Sequence, residues 1–272
     1  MLALLLAACA GDTSDDKALD SADDADADTD TDTDTDTDAD TDTDPGDGAI
    51  SGTVQYYDGT IASGFPVQVC SLLCRYVDTD ASGNFALTGL DAGDYRVDTV
   101  GAEEGRNLGN FVVNVPLLES EIRAITPALW VPHVEGPVVS NEVAGRDTYT
   151  VGDVTLTFAA TDLELIFGTA DPDTGDFDVY AGVANGADLP AFWSVTPTFA
   201  VTLLPWAAGV LAGFDMEVDG LTAPDGTYQV YALDDFGRLE QVPVGTASVS
   251  GGHATATGLT PEVWTWLLFV AE

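Results

Sequence analysis

The stretch Asn84-Phe-Ala-Leu-Thr-Gly-Leu-Asp-Ala-Gly-Asp-Tyr-Arg-Val97 decides the fold class. Phe85 and Leu87 alternate with small or polar neighbours, Ala92-Gly93 turns the chain, and Tyr95 and Val97 alternate again. A side-chain period of two sends every second residue to one face of a strand, so each run carries one apolar face. Further strand candidates flank it. Ile50 to Tyr57 reads as a strand closed by Asp58-Gly59, Pro66-Val-Gln-Val69 alternates in polarity, and Ser82-Gly83 supplies another turn. Short strands every 8–12 residues or so, without a helical period, predict an antiparallel β-sandwich.

Composition sets the outer limits. The chain has 272 residues and a formal net charge of −40. Residues 10–48 hold 17 Asp and one Lys, which leaves a net −24 on residues 49–272. Those 224 residues suffice for one large domain or two modest ones. So negative a chain lacks the clustered Lys and Arg that phosphate contacts need, which excludes a nucleic-acid partner. Attraction to anionic lipid by charge is excluded for the same reason. No stretch supplies the roughly 20 apolar residues of a spanning helix.

The ordered succession Gly52-x-Val54, Asp58-Gly59, Gly64-x-Pro66-Val67-x-Val69, Thr79-Asp80-Ala-Ser-Gly83-Asn-Phe85 and Gly89-Leu90-x-Ala-Gly93-x-Tyr95-x-Val97 resembles the carboxypeptidase regulatory-like domain. The resemblance covers residues 49–100 and implies a transthyretin-like sandwich of about seven strands acting as a non-catalytic accessory module. Each matched element also has a physical reason. Gly83 and Gly93 permit tight turns, and Phe85 and Tyr95 supply core area.

The N-terminus reads Met1-Leu-Ala-Leu-Leu-Leu-Ala-Ala-Cys9-Ala10. An apolar run ending in small residues has the character of a signal-peptide core. Leu6-Ala7-Ala8-Cys9 resembles the lipobox of bacterial lipoproteins, which implies that Cys9 heads the mature chain and carries lipid. No Lys or Arg precedes the apolar core, so the native start is expected upstream. In the enteric lipoprotein family Asp after the Cys favours the inner membrane. Ala10 therefore points to the outer one.

Residues 10–47 are nearly all Asp, Thr, Ala and Ser, and offer almost nothing to bury. Burial cannot offset about 1–2 kcal/mol per residue of backbone ordering, so a disordered tether is expected. A neutral coil of this length spans roughly 35 Å, and self-repulsion extends it. Without a ligand cage its carboxylates predict diffuse counterion binding rather than a calcium site.

Cys70 and Cys74 flank three residues between two predicted strands. Cross-strand neighbours lie at disulfide distance, and with Cys9 lipidated the remaining count is even, so a hairpin disulfide is expected. After a linker at Pro132–Pro137, strand candidates at 154–158, 177–181, 198–203, 227–231, 245–249, 253–257 and 264–270 predict a second sandwich or jelly roll. The last of these is apolar on both faces and is expected to lie centrally. The spaced Gly, Leu and Thr residues from Gly220 to Trp264 resemble extracellular β-sandwich repeats of bacterial surface proteins.

The domain plan is therefore 1–9 signal peptide with lipobox, 10–47 tether, 48–132 first sandwich and 133–272 second sandwich. Asp171-Pro-Asp-Thr-Gly-Asp-Phe-Asp178 fails the EF-hand frame, with Gly175 at position 5 and Gly182 at position 12. Pro205–Phe214 is the most apolar stretch, either an exposed partner-binding loop or a helical turn capping the sandwich, with packing expected over partner binding. The two histidines, His133 and His253, make no metal motif, and no nucleophile elbow or phosphate loop is present. A non-enzyme without cofactor or metal is expected. Its predicted role is structural or binding in a bacterial cell envelope, held to the membrane through lipid on Cys9. The alternative is a glycan-binding or glycan-processing surface protein using second-module loops at Trp193 or Trp206. Exposed coplanar aromatics would mark the glycan reading, and buried tryptophans a scaffold.

Overall fold

Alternating sequence becomes strand throughout the computed structural model, which describes residues 46–100, 107–140, 145–165 and 176–272. The first module comprises β1 (Gly48–Tyr56), β2 (Pro66–Cys70), β3 (Cys74–Asp78), β4 (Asn84–Leu90), β5 (Gly93–Thr99), β6 (Phe111–Leu117), β7 (Ile122–Ala124) and β8 (Leu129–Val131). They form two facing sheets, β4-β1-β7 with β8 also beside β1, and β3-β2-β5-β6. All pairs are antiparallel except β1 with β7 and with β8. The exceptions follow from chain direction. Leu117 ends β6 opposite Gly93, at the end where β1 begins, so a chain turning back there runs alongside β1.

The turn between β3 and β4 shows how local chemistry fixes register. Asp80 Oδ1 accepts from Ser82 N at 2.7 Å and Asn84 N at 2.9 Å. Gly83 has φ +77°, and a Cβ there would sit 2.8 Å from the Val54 carbonyl oxygen. The turn then delivers Phe85 and Leu87 inward, where they are buried while their neighbours face water. Buried Thr79 braces the preceding loop, accepting from Phe65 N and donating to Ala62 O.

The second module comprises β9 (Glu135–Ser140), β10 (Asp147–Val151), β11 (Val154–Phe158), β12 (Leu163–Glu164), β13 (Phe177–Asn185), β14 (Phe199–Leu204), β15 (Gly209–Val210), β16 (Phe214–Val218), β17 (Gly226–Ala232), β18 (Gly245–Ser250), β19 (His253–Leu259) and β20 (Trp266–Ala271). Ten of these form one antiparallel sheet in the order β10-β11-β16-β19-β18-β17-β20-β14-β13-β9, while β12 pairs with β15. The sheet folds over on itself and brings β9 beside β10. Its halves enclose one core, in which Phe158 of β11 lies 6.3 Å from Phe177 of β13 and 5.1 Å from Trp264.

The closing strand lies centrally, between β17 and β14. Every residue of β14 is buried, as are Trp266 to Phe269 of β20. Alternation explains how both faces are used. Val201, Leu203, Leu267 and Phe269 point into the second module's core, whereas Ala200, Trp266 and Leu268 join a cluster with Ile50, Phe111 and Trp130 of the first. One sheet therefore supplies a wall to two cores. The architecture is all-β, two sandwich modules in tandem sharing an apolar seam.

Candidate functional site

Aromatic rings dominate the seam. Phe111, at the start of β6, lies 5.6 Å from Trp266 and 5.6 Å from Trp193, and Trp130 lies 6.0 Å from Trp266. The Trp266 indole N–H donates to the Asn110 carbonyl at 2.9 Å. β6 is the edge of its sheet, and an uncovered edge exposes unpaired backbone groups. The second module covers it with the loop Asp234–Arg238. Asp234 Oδ1 shapes that loop by accepting from Phe236 N and Arg238 N, at 2.9 and 2.8 Å. Gly237, at φ +75°, lies so close to β6 that a Cβ would meet Val112 Cγ2 at 2.9 Å.

Beside this contact opens a cleft of about 290 Å³, lined by Asn114, Phe192, Trp193, Arg238, Leu239 and Gln241 among others. The Arg238 guanidinium stacks 4.8 Å above the Phe236 ring, and its Nε lies 3.7 Å from Asp234 Oδ2. The lining joins an aromatic face to amide and guanidinium donors, and contains no Asp, Glu, His or Cys. Such a lining suits holding a polar ligand.

On β5, opposite Asn114, Arg96 forms a polar chain with its neighbours. Its Nη2 donates to Gln68 Oε1 at 3.2 Å, and Nη1 reaches the Asp235 carbonyl at 3.5 Å. Arg96 Nε lies 2.8 Å from Asp98 Oδ2. That N–H finds no hydrogen-bond geometry, so the contact is a charge pair. Burial pushes the Asp98 carboxyl up to about 6, against the opposing pull of Arg96. Glu240 is also raised, chiefly by burial, while the amide of Glu262 bonded to it pulls the other way.

Of the two tryptophans read from the sequence as ligand-binding, Trp193 lines the cleft. Trp206 packs on the same apolar cluster without lining it. Both are partly buried, and their indole nitrogens lack partners. Trp130, Trp264 and Trp266 are buried outright. Sequence reading missed Asn114, Phe192, Arg238 and Gln241. The adjacent aromatic pair Phe192-Trp193 was the available signal.

Cys70 and Cys74 are bonded across the β2–β3 hairpin, with Cα atoms 4.0 Å apart. Cys9, residues 10–45 of the tether and Asp171–Gly175 of the acidic loop lie outside the described residues. Pro205–Phe214 packs, with Ala207, Ala208 and Phe214 buried, as a bent extended segment containing β15 rather than a helical turn. His133 lies 3.6 Å from Glu135 and packs on Tyr57. His253 contacts Asp219 at 2.8 Å and Thr255 at 3.2 Å on an open strand face. Among the described residues no group of three or more His, Cys, Asp or Glu is placed to hold a metal ion. No helix there is long and apolar enough to cross a membrane.

No family model matches the chain, and no curated protein does. Solved structures give loose similarity. A DUF3823 family protein from Bacteroides ovatus is 10% identical over 83% of this chain and 98% of its own, with a TM-score of 0.24. Another from Parabacteroides merdae is 13% identical over 84% and 100%, at 0.27. A streptococcal ancillary pilin is 14% identical over 85% and 64%, at 0.27. Overlap this loose assigns neither a family nor a function.

Proposed function

We propose that this chain is a lipid-anchored bacterial envelope protein, held by acyl chains on Cys9, with a non-catalytic structural or binding role. The observation that carries the reading is the seam. Burying both faces of β14 and β20, with the aromatic cluster around Phe111 and Trp266, joins the modules into one stiff body. Large apolar contact between modules opposes the relative motion that polar domain interfaces allow. A stiff body joined to a lipid anchor through an acidic segment is suited to serving as a scaffold or presenting a surface at a membrane. Burial of Trp130, Trp264 and Trp266, with Trp193 and Trp206 partly buried, supports this role over that of an open aromatic platform. The carboxypeptidase regulatory-like resemblance of residues 49–100 agrees with an accessory module, and the lipobox resemblance with envelope location, on the outer membrane.

Fractionation tests the anchoring. The native protein should float with membranes, and Cys9→Ser should move it to the soluble fraction. Equal distribution of the two would overturn the reading.

A second reading rests on the cleft. Phe192 and Trp193 offer an apolar face, and Arg238, Gln241 and Asn114 offer polar groups, a combination that suits a sugar. Trp193→Ala should then abolish retention on immobilised envelope glycans.

A further inference from the structure

Among the described residues, the four most exposed large apolar side chains are Leu72 at 100%, Leu73 at 81%, Ile122 at 78% and Leu118 at 72%. Strand register places all four at one end of the first module. Gly48 pairs with Leu90, and Ala49 with Ile122. Gly93 pairs with Leu117, so Leu118 lies just beyond. Cys70 stands opposite Arg96, and the hairpin tip Ser71–Leu73 projects past it towards the Gly93 end. β3 and β6 border the same sheet, so the tip and Leu118 are separated laterally by roughly 12–15 Å. The described chain begins here too. Ser120 Oγ donates to Asp47 Oδ1 at 2.8 Å, and Ala49 N donates to Glu121 O at 2.9 Å. The end to which the tether delivers the module is thus the end with the most exposed aliphatic surface.

An exposed leucine pair is costly to display, and here it is held in place. The Cys70–Cys74 bond closes the tip at its base, and Arg75 Nη1 ties β3 to the Gly89 carbonyl at 2.9 Å. Leu72 and Leu73 are chain neighbours, and Leu118 and Ile122 share their end of the module; exposed aliphatic side chains grouped at one end mark a contact surface. We propose that this end is a membrane-contacting face, with Leu72, Leu73, Leu118 and Ile122 entering the interfacial layer of an uncharged, zwitterionic bilayer. The proposal rests on the anchoring reading, because lipid on Cys9 is what brings this end to the membrane. Charge chooses the lipid. Among the described residues at this end, exposed Asp47, Asp91, Asp94 and Glu119, with Glu121, outnumber Arg75, Arg123 and the half-buried Arg96, which is paired with Asp98. That balance repels anionic headgroups and leaves zwitterionic ones as the acceptable surface. The acidic stretch of residues 10–47, expected as a tether, permits the contact without enforcing it. The leucines therefore decide whether the module rests on the bilayer or stands away from it.

The test uses the full lipidated chain in phosphatidylcholine vesicles with brominated acyl chains, which quench only indoles that reach the bilayer. Leu73→Trp is the reporter, and Leu211→Trp, on an exposed position of the second module, is the control. The added indole at the tip should lose at least half its emission, and the control less than a tenth. Replacing a third of the lipid with phosphatidylglycerol should weaken the quenching several-fold. In the Cys9→Ser chain, Leu72→Ser with Leu73→Ser should lower vesicle association by about tenfold. Protein that stays on the vesicles with an unquenched reporter overturns the proposal, and shows that something other than lipid covers the tip. Protein that never floats overturns the anchoring reading instead. The reporter is then read in the Cys9→Ser chain at saturating vesicles, where quenching upholds the contact and its absence overturns it.

Discussion

Trp266→Ala tests whether the two modules stand or fall together. Trp266 belongs to β20 of the second module, but its fully buried ring lies in the first module's cluster, 5.6 Å from Phe111 and 6.0 Å from Trp130. Truncating a buried tryptophan costs about 3–5 kcal/mol through lost transfer energy and the cavity left behind. Losing the indole bond to the Asn110 carbonyl adds about 1 kcal/mol. The expected loss is about 4–6 kcal/mol, a large part of the ~5–15 kcal/mol that holds a typical domain folded. Urea denaturation followed by far-UV circular dichroism reads the magnitude. Hydrogen exchange read by mass spectrometry on peptides from β1–β5 and from β17–β20 shows where it falls. Protection should drop in both modules together, with one cooperative transition. Trp264→Ala, whose ring contacts Phe158 and Phe214 in the other core, should likewise weaken both. If Trp266→Ala does not accumulate folded, Trp266→Phe gives the same pattern at smaller amplitude. A loss below about 2 kcal/mol, or a second module that loosens while β1–β5 keep full protection, refutes the shared seam.

Three further predictions address other parts of the molecule. Burial raises Asp98 from 3.8 to about 6, so the native state holds this proton more tightly than the unfolded chain. The resulting stabilisation is complete below about pH 4 and lost as pH rises through 6, amounting to about 3 kcal/mol. Urea midpoints of Asp98→Asn, measured against native protein from pH 4 to 8, should rise relative to it over that window, and parallel curves would contradict the assignment. Replacing Cys70 and Cys74 with serine opens a five-residue loop and should cost about 2 kcal/mol, lowering the melting temperature; an unchanged midpoint would show that the bond adds nothing to stability. Gly237→Ala forces a side chain into φ +75° and against Val112, and should cost about 2 kcal/mol with faster exchange along β6. A neutral effect would mean that the loop does not seal that edge.

Local pattern made most of the strands readable before any coordinates. Phe85 and Leu87, or Tyr95 and Val97, alternate because one face meets a core and the other meets water. The hairpin disulfide was legible for a similar reason, since a three-residue tip places its flanking residues opposite each other. β6 escaped notice because Phe-Val-Val-Asn-Val-Pro-Leu is apolar on both faces, and therefore lacks the alternation that identifies a strand. That double burial is itself the trace of the seam, as it is for β20, whose central position the same property did reveal. The cleft was illegible apart from Trp193. Asn114, Trp193, Arg238 and Gln241 are separated by long stretches of chain and meet only once β6 docks on the second module. No local periodicity encodes that docking. The parallel pairing of β7 and β8 with β1 was equally hidden, because it depends on where β6 happens to end.

Mass spectrometry of the protein extracted from its native envelope tests the central claim most directly. An acylated N-terminal peptide beginning at Cys9, with thioether-linked diacylglycerol on its sulfur, is the predicted result. A mature polypeptide whose Cys9 carries an unmodified thiol, or whose N-terminus lies beyond it, would contradict the account.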